Sequence, residues 1–145
     1  MQGNKLLIET RFQSDPAQLR NIRETIRDVL QKNNCPPSFI DDLVLAVNEA
    51  CANIMQHAYK KKCTEEIILA IRREEDEITV CLTDFAAPVD PQAFKSRQLD
   101  DLRPGGLGVH FVNELMDEVC FLEPETGVGN ILQLKKKIFT RHQED

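Results

Sequence analysis

A two-layer α+β sandwich, with helices on one face of a mainly antiparallel mixed sheet, is the fold class that this 145-residue chain predicts. Three observations lead there. Short stretches alternate apolar and polar residues with the period of two that a half-buried strand requires. Two longer stretches repeat apolar residues with the 3.6 period of an amphipathic helix. Along the chain these elements run strand, two helices, two strands, a long loop, a helix and two strands, an order that suits helices segregated to one face of an antiparallel sheet.

The first strand is expected over residues 5–12, where Leu6, Ile8 and Phe12 stand between polar residues. Asp15-Pro16-Ala17-Gln18 supplies an N-cap, a proline at the first helical position and a capping-box glutamine. They open a helix with the apolar face Leu19, Ile22, Ile26, Val29 and Leu30, ending near Asn33-Asn34. Pro36-Pro37 breaks the chain, and Ser38 is placed to cap a long second helix running to about Lys60. Its stripe is Ile40, Leu43, Val44, Val47, Cys51, Ile54 and Ala58. Residues 66–72 and 77–84 read as a hairpin joined by the charged turn 73–76, with Ile78, Val80 and Leu82 alternating against Thr79, Cys81 and Thr83. From 85 to 104 the periodicity fails, and a connection that long inside one domain is usually functional or mobile. Val109, Val112, Leu115 and Met116 mark a short helix. Residues 118–122 and 130–138 form a closing hairpin around Gly127-Val128-Gly129.

Composition narrows the function classes. The length suits a single domain over 1–145, with no linker or repeat. Hydrophobic residues at 41% and charged residues at 29% are those of a globular protein, and no run nears the roughly 20 apolar residues of a membrane span. The N-terminal residues lack the apolar core of a signal peptide, so a cytoplasmic location without membrane attachment is expected. The five cysteines are scattered, without a C-x-x-C pair or zinc-ligand spacing, and read as reduced, mostly buried small side chains. A net charge of −6, with basic runs only at Lys60-Lys61-Lys62 and Lys135-Lys136-Lys137, opposes direct binding to nucleic acid and favours a basic protein partner.

Chemistry concentrates in three places. On the second helix Glu49, Asn53 and Gln56 lie opposite the apolar stripe, among Leu45, Ala46 and Ala52 rather than among charges, which suggests a covered face. Glu49 and Asn53, one turn apart, can serve as a general base and a neutral Mg²⁺ ligand, or form a plain solvent-facing stripe. Asp84 closes a strand, where a buried carboxylate can accept a hydrogen bond from the exocyclic amine of adenine, or simply end a surface hairpin. Gly105-Gly106-Leu107-Gly108 leads into a helix, so its backbone N–H groups can receive phosphate oxygens, though such turns also occur as ordinary loops. No G-x-x-x-x-G-K-[ST] sequence is present, which excludes a P-loop and leaves phosphate charge to a metal.

Taken together, Glu49-x-x-x-Asn53, Asp84 with its following loop, and Arg103-Pro104-Gly105-Gly106-Leu107-Gly108 resemble the N box and the two glycine boxes of the GHKL ATPases. The closer resemblance is to the anti-sigma factor serine/threonine-protein kinases, carried by VNEACANIMQHAY, by the D-x-x-x-P-x-D-P run from Asp84 to Pro91 and by GGLGVHFVNELMDEV, and it spans essentially the whole chain. It implies the histidine-kinase-like ATPase fold with Mg-ATP bound. It also implies phosphorylation of a serine or threonine on an anti-anti-sigma (STAS-type) protein and sequestration of a sigma factor, often by a homodimer. Glu49 then is the base, Asn53 the Mg²⁺ ligand, Asp84 the adenine reader and Gly105, Gly106, Leu107 and Gly108 the phosphate loop. His57 and Arg103 also fit the pattern, with a structural role for each left open. Sensor histidine kinases usually carry Asn in place of Glu49 and need a histidine-bearing helical hairpin, so the glutamate favours a serine kinase, or a hydrolase.

The chain departs from the pattern where Ala86 replaces the glycine two residues after the aspartate. If φ > 0 is required there, alanine costs about 1–2 kcal/mol, roughly a tenfold loss of affinity. That substitution keeps open a non-catalytic partner-binding switch module of the same fold.

Overall fold

The computed structural model describes residues 4–58, 65–86, 112–123 and 129–139. In chain order they form strand β1 (Lys5–Gln13), a 3₁₀ turn (Pro16–Gln18), helix α1 (Leu19–Lys32), helix α2 (Pro37–Asn53) continued by a π-helical turn (Ile54–Ala58), strands β2 (Glu66–Glu74) and β3 (Glu77–Asp84), a helical turn at 112–115, and strands β4 (Glu118–Leu122) and β5 (Asn130–Lys137).

The five strands make one sheet in the order β1-β2-β3-β5-β4, and every pairing is antiparallel. The parallel component of a mixed sheet is therefore missing among the described residues. Burial alternates along the strands: Ile67, Leu69, Ile71, Ile78, Val80, Leu82, Leu132 and Leu134 are buried, while Ile68, Ala70, Thr79, Cys81, Ile131 and Gln133 between them are half-buried. A period of two with one fully covered face is what helices on a single side produce. Ile22, Ile26 and Leu30 of α1 and eight residues of α2 complete that core.

Several local expectations change. Asp15 caps as expected, its Oδ1 accepting the Ala17 N–H at 3.0 Å, but over a 3₁₀ turn; Gln18 makes no side-chain capping bond, and α1 begins only at Leu19. Pro36, not Ser38, occupies the N-cap of α2, and the helix starts at Pro37, whose missing N–H would have been unpaired there anyway. The α form stops at Asn53 rather than running to Lys60, and five residues of π-helix follow. The β2–β3 hairpin is tighter than the charged turn suggested: strand pairing continues to Glu74 and Glu77, leaving the two-residue turn Glu75-Asp76 with Glu75 at φ 56°. Charge at an exposed strand end does not prevent backbone pairing.

The flank of α2 is also covered unevenly. Ala46 and Ala50 are buried along with Ile40, Leu43, Val44, Val47, Cys51 and Ile54 of the predicted stripe, while Leu45 remains 43% exposed. Helix α1 packs along another flank, with Arg23 Nη1 donating to Asn48 Oδ1 at 2.9 Å and Arg27 Nη1 to Asp41 Oδ1 at 2.7 Å. Their placement shows the two helices running side by side.

Candidate active site

The second half of α2 presents Glu49 and Asn53 on one flank, both half-buried, while Val47, Ala50 and Cys51 face the core. Residues four apart on a helix are neighbours, so a carboxylate and an amide lie on the same partly covered surface. Neither side chain has a hydrogen-bond or ion-pair partner among the described residues. A half-buried carboxylate on such a flank can accept a proton that arrives with a substrate. The π-turn begins at the next residue: the Ile54 N–H is shared between the Ala50 and Cys51 carbonyls, and Ile54 and Met55 remain buried. Such turns widen the helix by one residue and gather at functional sites. The main chain of His57 lies in this turn, and its side chain lies outside the described residues.

Asp84 ends β3, the central strand, and is 3% exposed. Its position in the middle of the sheet explains that burial, because strands β2 and β5 flank it on both sides. Two donors converge on a single oxygen: the Ala86 N–H at 3.0 Å and Asn130 Nδ2 at 2.9 Å both reach Oδ1. The second oxygen receives neither. Burial pushes the Asp84 carboxyl above its ordinary value, opposed by the hydrogen bonds from Asn130 and Ala86. The group is thus an oriented, desolvated acceptor, suited to an amine that brings its own N–H.

Ala86 itself overturns the strain expected of it. Positive φ is confined, among described non-glycine residues, to Asn34 and Glu75, so alanine at 86 adopts an ordinary backbone and turns its N–H back onto Asp84. An Asx-type turn of this sort needs no glycine.

Two residues that sequence reading assigned only to a turn and a strand belong to the site. Asn130 stands directly opposite Asp84 in the β3–β5 register and holds its carboxylate. Gly129 has φ 87°, and a Cβ built there would lie 2.1 Å from the Asp84 carbonyl oxygen and 3.1 Å from Phe85 Cα. Only a residue without a side chain lets β5 begin this close to the end of β3. The available signal was a glycine immediately before a strand, but its partner is forty-five positions away and emerges only with the register. Arg103, Gly105, Gly106, Leu107 and Gly108 lie outside the described residues.

The donor set fits the two groups expected at the site. A buried carboxylate with one oxygen already held suits an adenine amine, and the amide oxygen of Asn53, without a partner among the described residues, suits an ion that keeps most of its water and shares phosphate oxygens. Among the described residues no group of three or more His, Cys, Asp or Glu could hold a metal by itself. No helix among them is long and apolar enough to cross a membrane.

Comparison with known proteins extends the geometry. A family model described as the histidine kinase-like ATPase domain matches residues 12–136. The chain is 35% identical over 126 residues to the serine-protein kinase RsbW of Bacillus pumilus (strain SAFR-032), covering 78% of this chain and 76% of that protein. To the serine-protein kinase RsbW of Staphylococcus aureus (strain MRSA252) it is 33% identical over 137 residues, covering 88% and 86%. Among solved structures, the SiaB-SiaC complex from Pseudomonas aeruginosa superposes with a TM-score of 0.64 at 20% identity, over 91% of this chain and 89% of that one. The RsbU and RsbW domains of Rv1364c from Mycobacterium tuberculosis also give 0.64, at 15% identity, over 90% of this chain and 31% of the other. At such identities the structural likeness speaks for the fold.

Proposed function

Since the chain belongs to the histidine kinase-like ATPase domain family, we propose that it is an ATP-dependent serine-protein kinase acting as an anti-sigma factor, with Glu49, Asn53 and Asp84 as its working residues. It phosphorylates an anti-anti-sigma protein of the STAS type and sequesters a sigma factor, and it acts in the cytoplasm, where ATP and both partners are found. The observation that carries the nucleotide reading is the Asp84 carboxylate, buried at the centre of the sheet with both internal hydrogen bonds on one oxygen.

Each residue then has a physical task. Asp84 accepts the exocyclic amine of adenine, and Asn130 with the Ala86 N–H keeps its carboxylate from rotating. ATP supplies the phosphoryl group, and Mg²⁺ supplies the charge neutralisation that a site without a P-loop lysine lacks. Asn53 would hold that ion through its amide oxygen. The backbone of Gly105, Gly106, Leu107 and Gly108 receives phosphate oxygens, with Arg103 and His57 as further nucleotide contacts. Glu49 takes the proton of the incoming serine hydroxyl while the serine oxygen bonds to the γ-phosphorus and the bridging oxygen departs with ADP. Without a base the alcohol would carry a positive charge in the transition state, so proton removal contributes about 10²–10⁴-fold in rate.

Glu49→Gln separates binding from chemistry. Calorimetric titration should find Mg-ATP affinity retained, while transfer of labelled γ-phosphate to the anti-anti-sigma partner falls at least about a hundredfold. Transfer at the wild-type rate would show that Glu49 is not the base. A non-catalytic switch module drew its support from strain at Ala86, and the ordinary backbone there removes that reason for preferring it.

A further inference from the structure

Of the large apolar side chains on α2, only Leu45 stays exposed, at 43%. Four polar side chains stand within one turn of it, three or four residues to either side: Asp41, Asp42, Asn48 and Glu49. Three of them are engaged inside the chain. Asp41 Oδ1 accepts from Arg27 Nη1 at 2.7 Å, Asn48 Oδ1 from Arg23 Nη1 at 2.9 Å, and Asp42 Oδ2 lies 3.9 Å from the Lys136 ammonium, which also donates to the Leu115 carbonyl at 2.6 Å. Glu49 alone of the four has no partner among the described residues. The half-buried Ala52, seven residues after Leu45, continues the apolar strip. The surface beside the candidate base is therefore apolar and charge-compensated, and an apolar side chain from outside can cover it without breaking an ion pair.

Position along the helix says what that side chain belongs to. Leu45, Glu49 and Asn53 follow one another in steps of four residues, about 6 Å each along the axis, so Glu49 lies between the leucine and the metal ligand. The ion and the phosphates fill the Asn53 side. A serine whose hydroxyl reaches Glu49 must then bring its own chain in from the Leu45 side. An extended segment advances about 3.3 Å per residue and turns every second side chain to the same face, so two residues span about 6.6 Å, close to one helical turn. The side chain two positions from the serine lands on Leu45.

We infer that Leu45 is a specificity-determining contact for the phosphoacceptor: the serine-bearing segment lies extended along this flank of α2, with the serine at Glu49 and an apolar side chain two positions away seated on Leu45. This rests on the kinase reading given above. The cover expected of so weakly charged a flank is supplied by the substrate.

The test is a library of serine peptides, degenerate except for one fixed residue two positions before or after the serine, offered with labelled ATP to the wild-type chain, Leu45→Asp and Leu45→Met. The wild type should transfer phosphate about tenfold better to peptides with Leu, Ile or Met than with Asp at one of those two positions. Leu45→Asp should lose that preference and favour Lys or Arg at the same position by about two- to fivefold, the range of an exposed ion pair, while Leu45→Met keeps the wild-type pattern. Calorimetric Mg-ATP affinity and the urea midpoint should stay close to wild type in both variants, because Leu45 is exposed and lies away from the nucleotide. If Leu45→Asp does not fold, Leu45→Lys, with a preference for Asp or Glu, makes the complementary test. Indifference of the wild type at both positions, an apolar preference that survives in Leu45→Asp, or no transfer to any peptide by a chain that binds Mg-ATP overturns the proposal. A folded wild type that binds no Mg-ATP overturns the kinase reading itself, an outcome distinct from failure of the leucine's role.

Discussion

Gly129→Ala should injure the adenine end of the site while leaving the chain folded. The added Cβ meets the Asp84 carbonyl oxygen at 2.1 Å, nearly an ångström inside the closest approach such a carbon makes, and both that oxygen and the neighbouring Phe85 Cα belong to backbone that cannot swing aside. Alanine at φ 87° adds its own strain of about 1–2 kcal/mol, and forced overpacking usually costs about 1–3 kcal/mol. Together these give about 2–5 kcal/mol, less than the roughly 5–15 kcal/mol that holds a typical domain. Relief of the clash requires the start of β5 to move from the end of β3 by about the overlap, on the order of 1 Å, which would break the 2.9 Å bond from Asn130 to Asp84. Urea denaturation of the variant should show the midpoint falling with an unchanged slope, and calorimetry should show ATP affinity lowered at least about tenfold. A loss of stability below about 0.5 kcal/mol together with wild-type ATP affinity would refute the reasoning.

Two further expectations follow from buried titratable groups. Because burial raises the Asp84 carboxyl above its ordinary 3.8, the native state holds that proton more tightly than the unfolded chain does. The raised value favours folding at low pH, and the advantage is lost as pH rises through the folded value, so the ionised Asp84 weakens the fold at neutral pH. Asp84→Asn should therefore be more stable than the wild type at neutral pH, with the difference shrinking as the pH is lowered toward the ordinary carboxylate range, yet it should lose ATP binding; denaturant midpoints across pH would contradict this if the variant were the less stable at pH 7. Burial also pushes the Cys51 thiol up to about 12, which leaves it almost no thiolate near neutral pH. Timed alkylation followed by mass spectrometry should find Cys51 modified after the half-buried Cys81 and Cys120, and early labelling of Cys51 in the folded chain would show that α2 opens.

The architecture was legible because it depends on periodicity. Alternation in Glu77–Asp84 and the 3.6 repeat through α2 follow from which residues must leave water, a property each stretch carries locally. The sequence also placed Glu49 and Asn53 correctly on one flank, since four residues along a helix fix that relation whatever the surroundings. Less legible were the ends of elements. Ser38 is a good cap in isolation, but Pro36 had already set the extended backbone that the cap position requires, and the helix began two residues earlier. The π-turn after Asn53 left no mark in the apolar pattern, because Ile54 and Met55 are buried in it just as they would be in an α-helix.

By itself, then, the sequence determined the class of fold, the helix bearing the candidate base and metal ligand, and the strand ending in Asp84. Tertiary structure decided what surrounds that aspartate. Antiparallel pairing of β3 with β5 brings Asn130 opposite Asp84 across forty-six positions, demands a glycine at 129, and turns Lys136 inward to meet Leu115 and Asp42. No local pattern can encode such meetings, because a partner distant in the chain becomes a neighbour only when strand register is set, and register is chosen by burial of the whole sheet face at once.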